Sequence, residues 1–584
     1  MPRKPPGGHR DRVPKLCGAD IELGNFILGL ERVGGTGREA SRALLREIEA
    51  PYADRRGRGM RLVSSAGGYP VAYGATGATY NPQDWGRKYL SSNGGCFYID
   101  LDHTECCLPE VLSAYDHVAA WHAMLRIARR ALEAANVKLP AGQRLHVLVN
   151  NSDGQGNAYG SHLNFLITRR AWNNIFERKL HHMLYLAAFQ VSSIVYTGQG
   201  KVGAENGTPA AAFQLSQRAD FFEALTGAQT TYERPIVNSR DEPLCGPPPS
   251  AFRGNETGPS HDLARLHCIF FDNTLCHGSS LLKVGTMQLM LALLEAGRVN
   301  PDLLLDDPVA AVVHWSHDPT LMARARMASG RELTAVELQL LFLEEAQRFA
   351  AAGGFDDVVP RAGDILALWE DTLQKLRVCD VTGLASRLDW MLKFRILQRA
   401  VQQRPGLTWA APEIKHLDHL YGSLDLSRGL YWAYEQLGVV EQLVSEAEIE
   451  RFVHEPPEDT RAWARATLLR LAGPDGVEDV DWDTIRFRRA GRGAWPVVRT
   501  LRLDDPLGFT RAAVEGVIQD ASTLDDALDA LHAAPSVTEN TLSLYEWHRA
   551  QTIPSGSQLH GRSGGRAHDN GDTTITSTDE EEVR

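Results

Sequence analysis

Apolar and polar positions alternate with a period of two in several short stretches before residue 275, which predicts strands whose side chains divide between two faces. The stretch CGADIELGNF, from Cys17 to Phe26, puts Asp20 and Glu22 on one face. From Gly95 to Asp102 the alternation sets Tyr98, Asp100 and Asp102 against Phe97, Ile99 and Leu101. Two more strands are predicted over 144–150 and 162–168, around a turn rich in Asn, Asp and Gly. Another is predicted over 265–271, where Arg265, His267 and Ile269 alternate with Leu266, Cys268 and Phe270. Helical periodicity marks 38–49, 112–136 and 283–296, and past residue 320 the pattern is mainly helical. Strands and helices intermix, so the expected class is α+β.

Residues 50–92, rich in Gly, Arg and Tyr, carry no such period and read as one long loop, usually functional or disordered at that length. Residues 1–15 form a basic, Pro-rich lead, and residues 551–584 form a Ser-, Gly- and Thr-rich tail ending in acidic TSTDEEEVR. Both are expected to be disordered, because neither can bury enough apolar surface to fold. The Pro- and Glu-rich joint HEPPEDT at 454–460 marks the expected boundary between a catalytic domain over 16–455 and a small C-terminal domain over 456–550.

Composition narrows the class. A chain of 584 residues, 43% hydrophobic and 23% charged, is ordinary for a globular protein. Its net charge of -12 argues against broad, sequence-independent nucleic-acid binding. No apolar run approaches the roughly 18 residues of a membrane helix, and no apolar core follows the charged start as in a signal peptide. The eight cysteines include no C-x-x-C pair, so a structural zinc site is not expected. Reduced thiols of a cytoplasmic protein are.

The polar faces carry the candidate chemistry. Asp20 and Glu22, side by side, repel each other unless a cation or proton lies between them, and oxygen-rich sites of this kind suit magnesium or manganese. Alone, a solvated edge strand explains such a pair as well. Glu105 has the wrong parity for the face of Tyr98 and Asp100, so the chain must leave strand geometry after His103 if Glu105 is to join it. His162 and Asn164 share a side, and an imidazole can complete a metal shell, although a lone histidine is more often a core group. Arg218 in QLSQRAD, and Arg234 and Arg240 in RPIVNSRDEP, carry guanidinium forks that match carboxylate or phosphate oxygens. Surface ion pairing is their plain alternative. TGQGKVG is not a phosphate loop, and neither G-x-S-x-G nor H-E-x-x-H occurs.

Together and in this order, these segments resemble one family: the Pup ligase and its sister, the Pup deamidase/depupylase. GADIELG is similar to the family's G-x-E-x-E-[YF]-G opening, and NGGCFYIDLDHTE to its N-G-x-x-x-Y-x-D…H-P-E segment. SDGQGNAYGSHLNFL resembles T-D-x-x-G-x-S-Y-G-x-H-E-N-Y-L; QLSQRAD, RPIVNSRDEP, RLHCIFFD and LKVGT follow in matching order. The likeness runs from Cys17 to Val537. It implies a glutamine-synthetase-like curved antiparallel sheet packed with helices, a small C-terminal domain, and ATP with magnesium or manganese as cofactors. By motif, Asp20, Glu22, Tyr98, Glu105, His162 and His267 become metal ligands. Asp100 becomes the catalytic aspartate, and Asn164, Arg218, Arg234 and Arg240 hold ATP phosphates or substrate.

The implied reaction runs on the terminal Glu or Gln side chain of a small disordered Pup-like modifier. The depupylase hydrolyses the amide or isopeptide bond with nucleotide as cofactor; the ligase makes an acyl phosphate and passes it to a lysine. The implied partners are modifier-conjugated proteins and, through them, a bacterial proteasome, with no nucleic acid or membrane. RGRGMRLVSSAGG in the long loop, SDGQG, FQLSQRAD and DPTLMARARMASGREL lean toward the depupylase. A non-catalytic modifier binder and a small-molecule ligase of the same superfamily remain as alternatives. Three departures stand out: Asp20 for the first Glu, Leu163 for the Glu of H-E-N, and Leu244 for the His of R-D-E-P-H.

Overall fold

The computed structural model describes residues 11–31, 35–48, 52–53, 87–154, 156–246, 259–489, 497–532 and 542–543. Its first elements in chain order are β1 (Cys17–Leu28), α1 (Gly37–Glu47), β2 (Tyr52–Ala53), β3 (Lys88–Tyr89), β4 (Cys96–Asp100), β5 (His103–Val111), α2 (Ala114–Lys138), β6 (Arg144–Leu148) and β7 (Ser161–Thr168). After a helical passage come β8 (Ala224–Gly227), β9 (Pro235–Asn238) and β10 (Leu263–Cys268).

Eight strands form one sheet in the order β10-β7-β1-β5-β4-β3-β2, with β6 pairing the far half of β1. Every pair in it is antiparallel. Ala19, Ile21 and Leu23 of β1 join Phe97, Ile99, Cys106, Leu108, Leu163 and Phe165 in one buried cluster with Trp121 and Met124 of α2. Because the side-chain period is two, burying those positions sends the polar alternates to the opposite face. A one-residue slip would exchange the faces and expose the apolar set, each large side chain costing about 1.5–3 kcal/mol. The helix His277–Glu295 lies on the same apolar side and is buried at every position.

Helices dominate from residue 335 to 476. Four strands then form a second antiparallel sheet: Val477–Val480, Thr484–Arg489, Val497–Arg502 and Leu542–Ser543. Its apolar residues, among them Ile485, Phe487, Leu501 and Trp482, form a separate cluster that continues into Cys96, Tyr98 and Cys107 on the polar face of the large sheet. At the joint Glu110 of β5 meets Arg461 at 2.8 Å and Arg465 at 2.5 Å, all three side chains buried.

The expected α+β architecture is present, with three differences of detail. Strand β5 was not expected, because Pro109 and the adjacent Cys106 and Cys107 obscure its alternation. The helical pattern past residue 320 gives way to strands after Gly476. Residues 11–15, placed in the disordered lead, are packed: Val13 is fully buried, and Lys15 Nζ donates to Glu295 Oε2 at 2.5 Å. Residues 1–10, most of the 50–92 loop and the 551–584 tail lie outside the described residues. All eight cysteines are free thiols, seven of them buried.

A carboxylate and imidazole face on the central sheet

Register brings the predicted residues together in two adjacent rows. His162, Asp20, Cys107 and Cys96 are successive cross-strand partners on β7, β1, β5 and β4. One step along, Glu22, Glu105 and Tyr98 pair across β1, β5 and β4. The parity problem of Glu105 is solved by a hairpin: Leu101, at φ 50°, and Asp102 turn the chain back, so Glu105 returns opposite Tyr98. The chain therefore leaves strand geometry at Leu101, before His103 and not after it. Asp102 falls in this turn and not on the face of Tyr98 and Asp100. Its carbonyl accepts from Asn25 at 3.1 Å and Ser41 at 2.6 Å, and its carboxylate pairs with Arg38.

Glu22, Asp100 and Glu105 each offer an oxygen within 4.8 Å of the others. Burial pushes the Glu22 carboxyl up, opposed by His103, the Gly160 N–H and Arg218 and reinforced by Asp100. Burial, and then Asp100, Glu22 and Asp20, hold Glu105 well above the usual carboxylate range. Carboxylates so crowded in a low dielectric cannot all ionise without a cation among them. Glu105 Oε2 is buried with no hydrogen-bond partner among the described residues. Burial likewise holds His162 and His267 well below the ordinary histidine value, helped for His162 by Arg218 and for His267 by Arg265. Both are neutral at pH 7, with a lone pair available. The donor set and the orphaned oxygen fit a hard divalent cation such as magnesium.

Asn164 fixes the far side. Its Nδ2 donates to Asp20 Oδ2 at 3.0 Å, while its Oδ1 accepts from Arg265 Nη1 at 2.8 Å and lies 2.9 Å from His267 Nδ1. Arg265 Nη1 also lies 3.3 Å from His267 Nδ1; in the tautomer with the proton on Nδ1, that nitrogen donates to Asn164 Oδ1 and Nε2 is the acceptor. Arg218 is fully buried; its Nη2 donates to the Ile269 carbonyl at 2.8 Å, and its Nε and Nη1 have no partner among the described residues. Burial, and then Arg234, lower its guanidinium to about 9. Arg234 Nη2 donates to the Ala158 carbonyl at 2.8 Å, and its Nη1 also lacks a partner among the described residues. Buried N–H groups without acceptors are costly, and oxyanions would satisfy them. Arg240 is half-exposed, 3.9 Å from Glu242. The Tyr98 ring lies 4.2 Å from the Arg87 guanidinium.

A cavity of about 700 Å³ opens over this face, lined by Glu22, Asp100, His103, Tyr159, His162 and Arg234. At the opposite end a mainly apolar slot between Leu108, Leu244, Trp482 and Pro506 opens beside Asp20, Asn164 and Arg265. Leu244 sits there at φ 49°. Leu163 is fully buried on the helix side, away from His162, as strand parity requires. Sequence reasoning passed over Arg265 and His103 as site residues. Arg265 was legible as the same-face neighbour of His267; nothing in the one-dimensional pattern pointed to the Leu244–Trp482 slot.

Fold and face together gather carboxylates, neutral imidazoles and buried guanidinium groups on one side of a large antiparallel sheet, next to its joint with a smaller one. The family model described as Pup-ligase protein matches residues 38–486. A depupylase from Acidothermus cellulolyticus is 35% identical over 446 residues, 76% of this chain and 83% of that protein. A Pup–protein ligase from Pseudarthrobacter chlorophenolicus is 33% identical over 406 residues, 68% of this chain and 84% of the relative. Among solved structures, the ligase PafA in complex with Pup superposes with a TM-score of 0.68 at 23% identity, covering 95% of this chain and 99% of that one. PafA in complex with ADP gives 0.63 at 24% identity, covering 79% and 97%. The chain belongs to the Pup ligase family, whose members include both depupylases and ligases.

Proposed function

We propose that this protein is an ATP- and magnesium-dependent amidase/isopeptidase that acts on the C-terminal Glu or Gln side chain of a Pup-like modifier. The observation that carries the reading is the Glu22–Asp100–Glu105 cluster, of which Glu22 and Asp100 line the 700 Å³ cavity. In this reading Asp20, Glu22, Tyr98, Glu105, His162 and His267 hold the cations, and manganese can replace magnesium. The cations, when bound, neutralise phosphate charge and polarise the carbonyl under attack. The slot at Leu244 and Trp482 takes the flat adenine base, and a relative of the same fold is described with ADP. Asn164, Arg218, Arg234 and Arg240 offer N–H groups to phosphate or to the substrate carboxylate.

Asp100 acts on the scissile carbonyl, as nucleophile or as the base that takes a proton from attacking water. The substrate's terminal residue enters through the larger cavity, whose Arg234 can pair with its carboxylate. The depupylase relative aligns over more of this chain than the ligase relative, which supports the hydrolytic direction. The expected setting is the cytoplasm of a bacterium with a proteasome supplied by modifier-tagged proteins. Among the described residues no helix is long and apolar enough to cross a membrane.

The ligase direction is the second reading, supported by the ligase relative and by the two PafA structures. One assay separates them: modifier-conjugated protein, free modifier and Mg-ATP are incubated with the full chain. Release of modifier without matching ADP formation supports the hydrolase. New conjugate with one ADP per bond supports the ligase, and the absence of both products overturns both readings.

A further inference from the structure

The cation face contains a ligand of a different kind. Cys107 is the cross-strand partner of Asp20 and lies two residues along β5 from Glu105, on the same side of the sheet. The Cys107 sulfur and one oxygen each of Asp20 and Glu105 lie within 4.8 Å of one another. The buried Glu105 Oε2 has no partner among the described residues. In a tetrahedral zinc site a thiolate at about 2.3 Å and a carboxylate oxygen at about 2.0–2.2 Å stand about 3.6 Å apart, so the three groups would draw together by up to about 1 Å to share a cation.

We propose that Cys107 makes the Asp20–Glu105 position a mixed oxygen–sulfur site that takes a thiophilic divalent cation, such as zinc, cobalt or cadmium, in preference to magnesium. This rests on the reading of the face as a cation site. Magnesium is satisfied by oxygen ligands and gains little from sulfur, whereas softer cations bind thiolate strongly. On binding, the S–H bond breaks, its proton leaves to solvent, and the sulfur lone pair forms the bond to the cation, with no change of oxidation state. Without a cation, burial and the neighbouring Asp20 and Glu105 carboxylates keep the thiol protonated. The fourth row member, Cys96, is the cross-strand partner of Cys107 on β4 and places a second sulfur next to the site. The choice of cation would then be set by Cys107, the sulfur that lies with the Asp20 and Glu105 oxygens.

The test uses the full chain with exposed Cys379 changed to Ser, stripped of metal and titrated with cadmium or magnesium by calorimetry and ultraviolet absorption. One equivalent of cadmium is expected to produce a thiolate-to-cadmium charge-transfer band. Cys107→Ser should abolish the band and lower cadmium affinity at least about tenfold while leaving magnesium affinity little changed. Circular dichroism and a melting curve confirm that this near-isosteric variant folds. A band that survives in Cys107→Ser, or no band in the parent chain, overturns the proposal. Glu105→Gln separates the two levels. If it weakens both cations while Cys107→Ser weakens neither, the cation face stands and the sulfur ligand falls; if it weakens neither, both fall.

Discussion

The joint between the two sheets offers the clearest energetic prediction. Glu110 is 7% exposed, and its carboxylate receives Arg461 Nε at 2.8 Å and Arg465 Nη2 at 2.5 Å. Burial alone would raise this carboxyl, but the two guanidinium groups outweigh it and bring it from 4.5 to about 2. At 1.36 kcal/mol per pH unit that corresponds to about 3 kcal/mol of stability. Glu110→Gln keeps the shape but leaves two buried cations facing a neutral amide, a loss of about 3–5 kcal/mol by analogy with broken buried pairs. Thermal melts at pH 7 should fall by on the order of 5 °C. Because the folded value is depressed, the stabilisation is fully present above pH 4.5 and is lost as pH falls toward 2. The gap between wild type and variant should therefore stay constant from pH 8 to 5.5 and narrow only below that. A variant that melts with the wild type at pH 7, or a gap that closes by pH 6, would refute the reasoning.

Three further outcomes follow from the same geometry. Saturating Mg-ATP should stabilise the folded chain, by about 2.7 kcal/mol at a hundredfold excess over its Kd, and Glu22→Ala or His162→Ala should shrink that shift in a melting assay without unfolding the protein. Gly160→Ala should fold but lose turnover, because a Cβ there collides with the Arg218 guanidinium; unchanged turnover would remove Arg218 from the site. Restoring the family's glutamate with Leu163→Glu should cost at least about 2 kcal/mol in denaturant unfolding, since the side chain would enter the apolar cluster rather than the polar face of the sheet.

Much of the face was legible in the sequence because period-two alternation names which side chains share a side. Asp20 with Glu22, Tyr98 with Asp100, and His162 with Asn164 were paired that way, and register places them on one face. Glu105 was legible only through the family resemblance. Its parity depends on a two-residue turn at Leu101 and Asp102, where neither residue is the glycine that usually marks a positive φ. Cys107 escaped notice because cross-strand register, not spacing along the chain, puts it beside Asp20. The slot at Leu244 and Trp482 joins residues far apart in sequence, and tertiary packing alone creates it.

The proposed chemistry turns on Asp100, whose carboxylate lies with those of Glu22 and Glu105 beside the cavity. Asn at this position keeps the size and cannot act as nucleophile or base. The decisive measurement is hydrolysis of a modifier conjugate by Asp100→Asn in the presence of Mg-ATP, with nucleotide binding followed in the same preparation. The account predicts retained Mg-ATP binding and a loss of turnover of at least about a hundredfold. Near-normal turnover with nucleotide bound would contradict it.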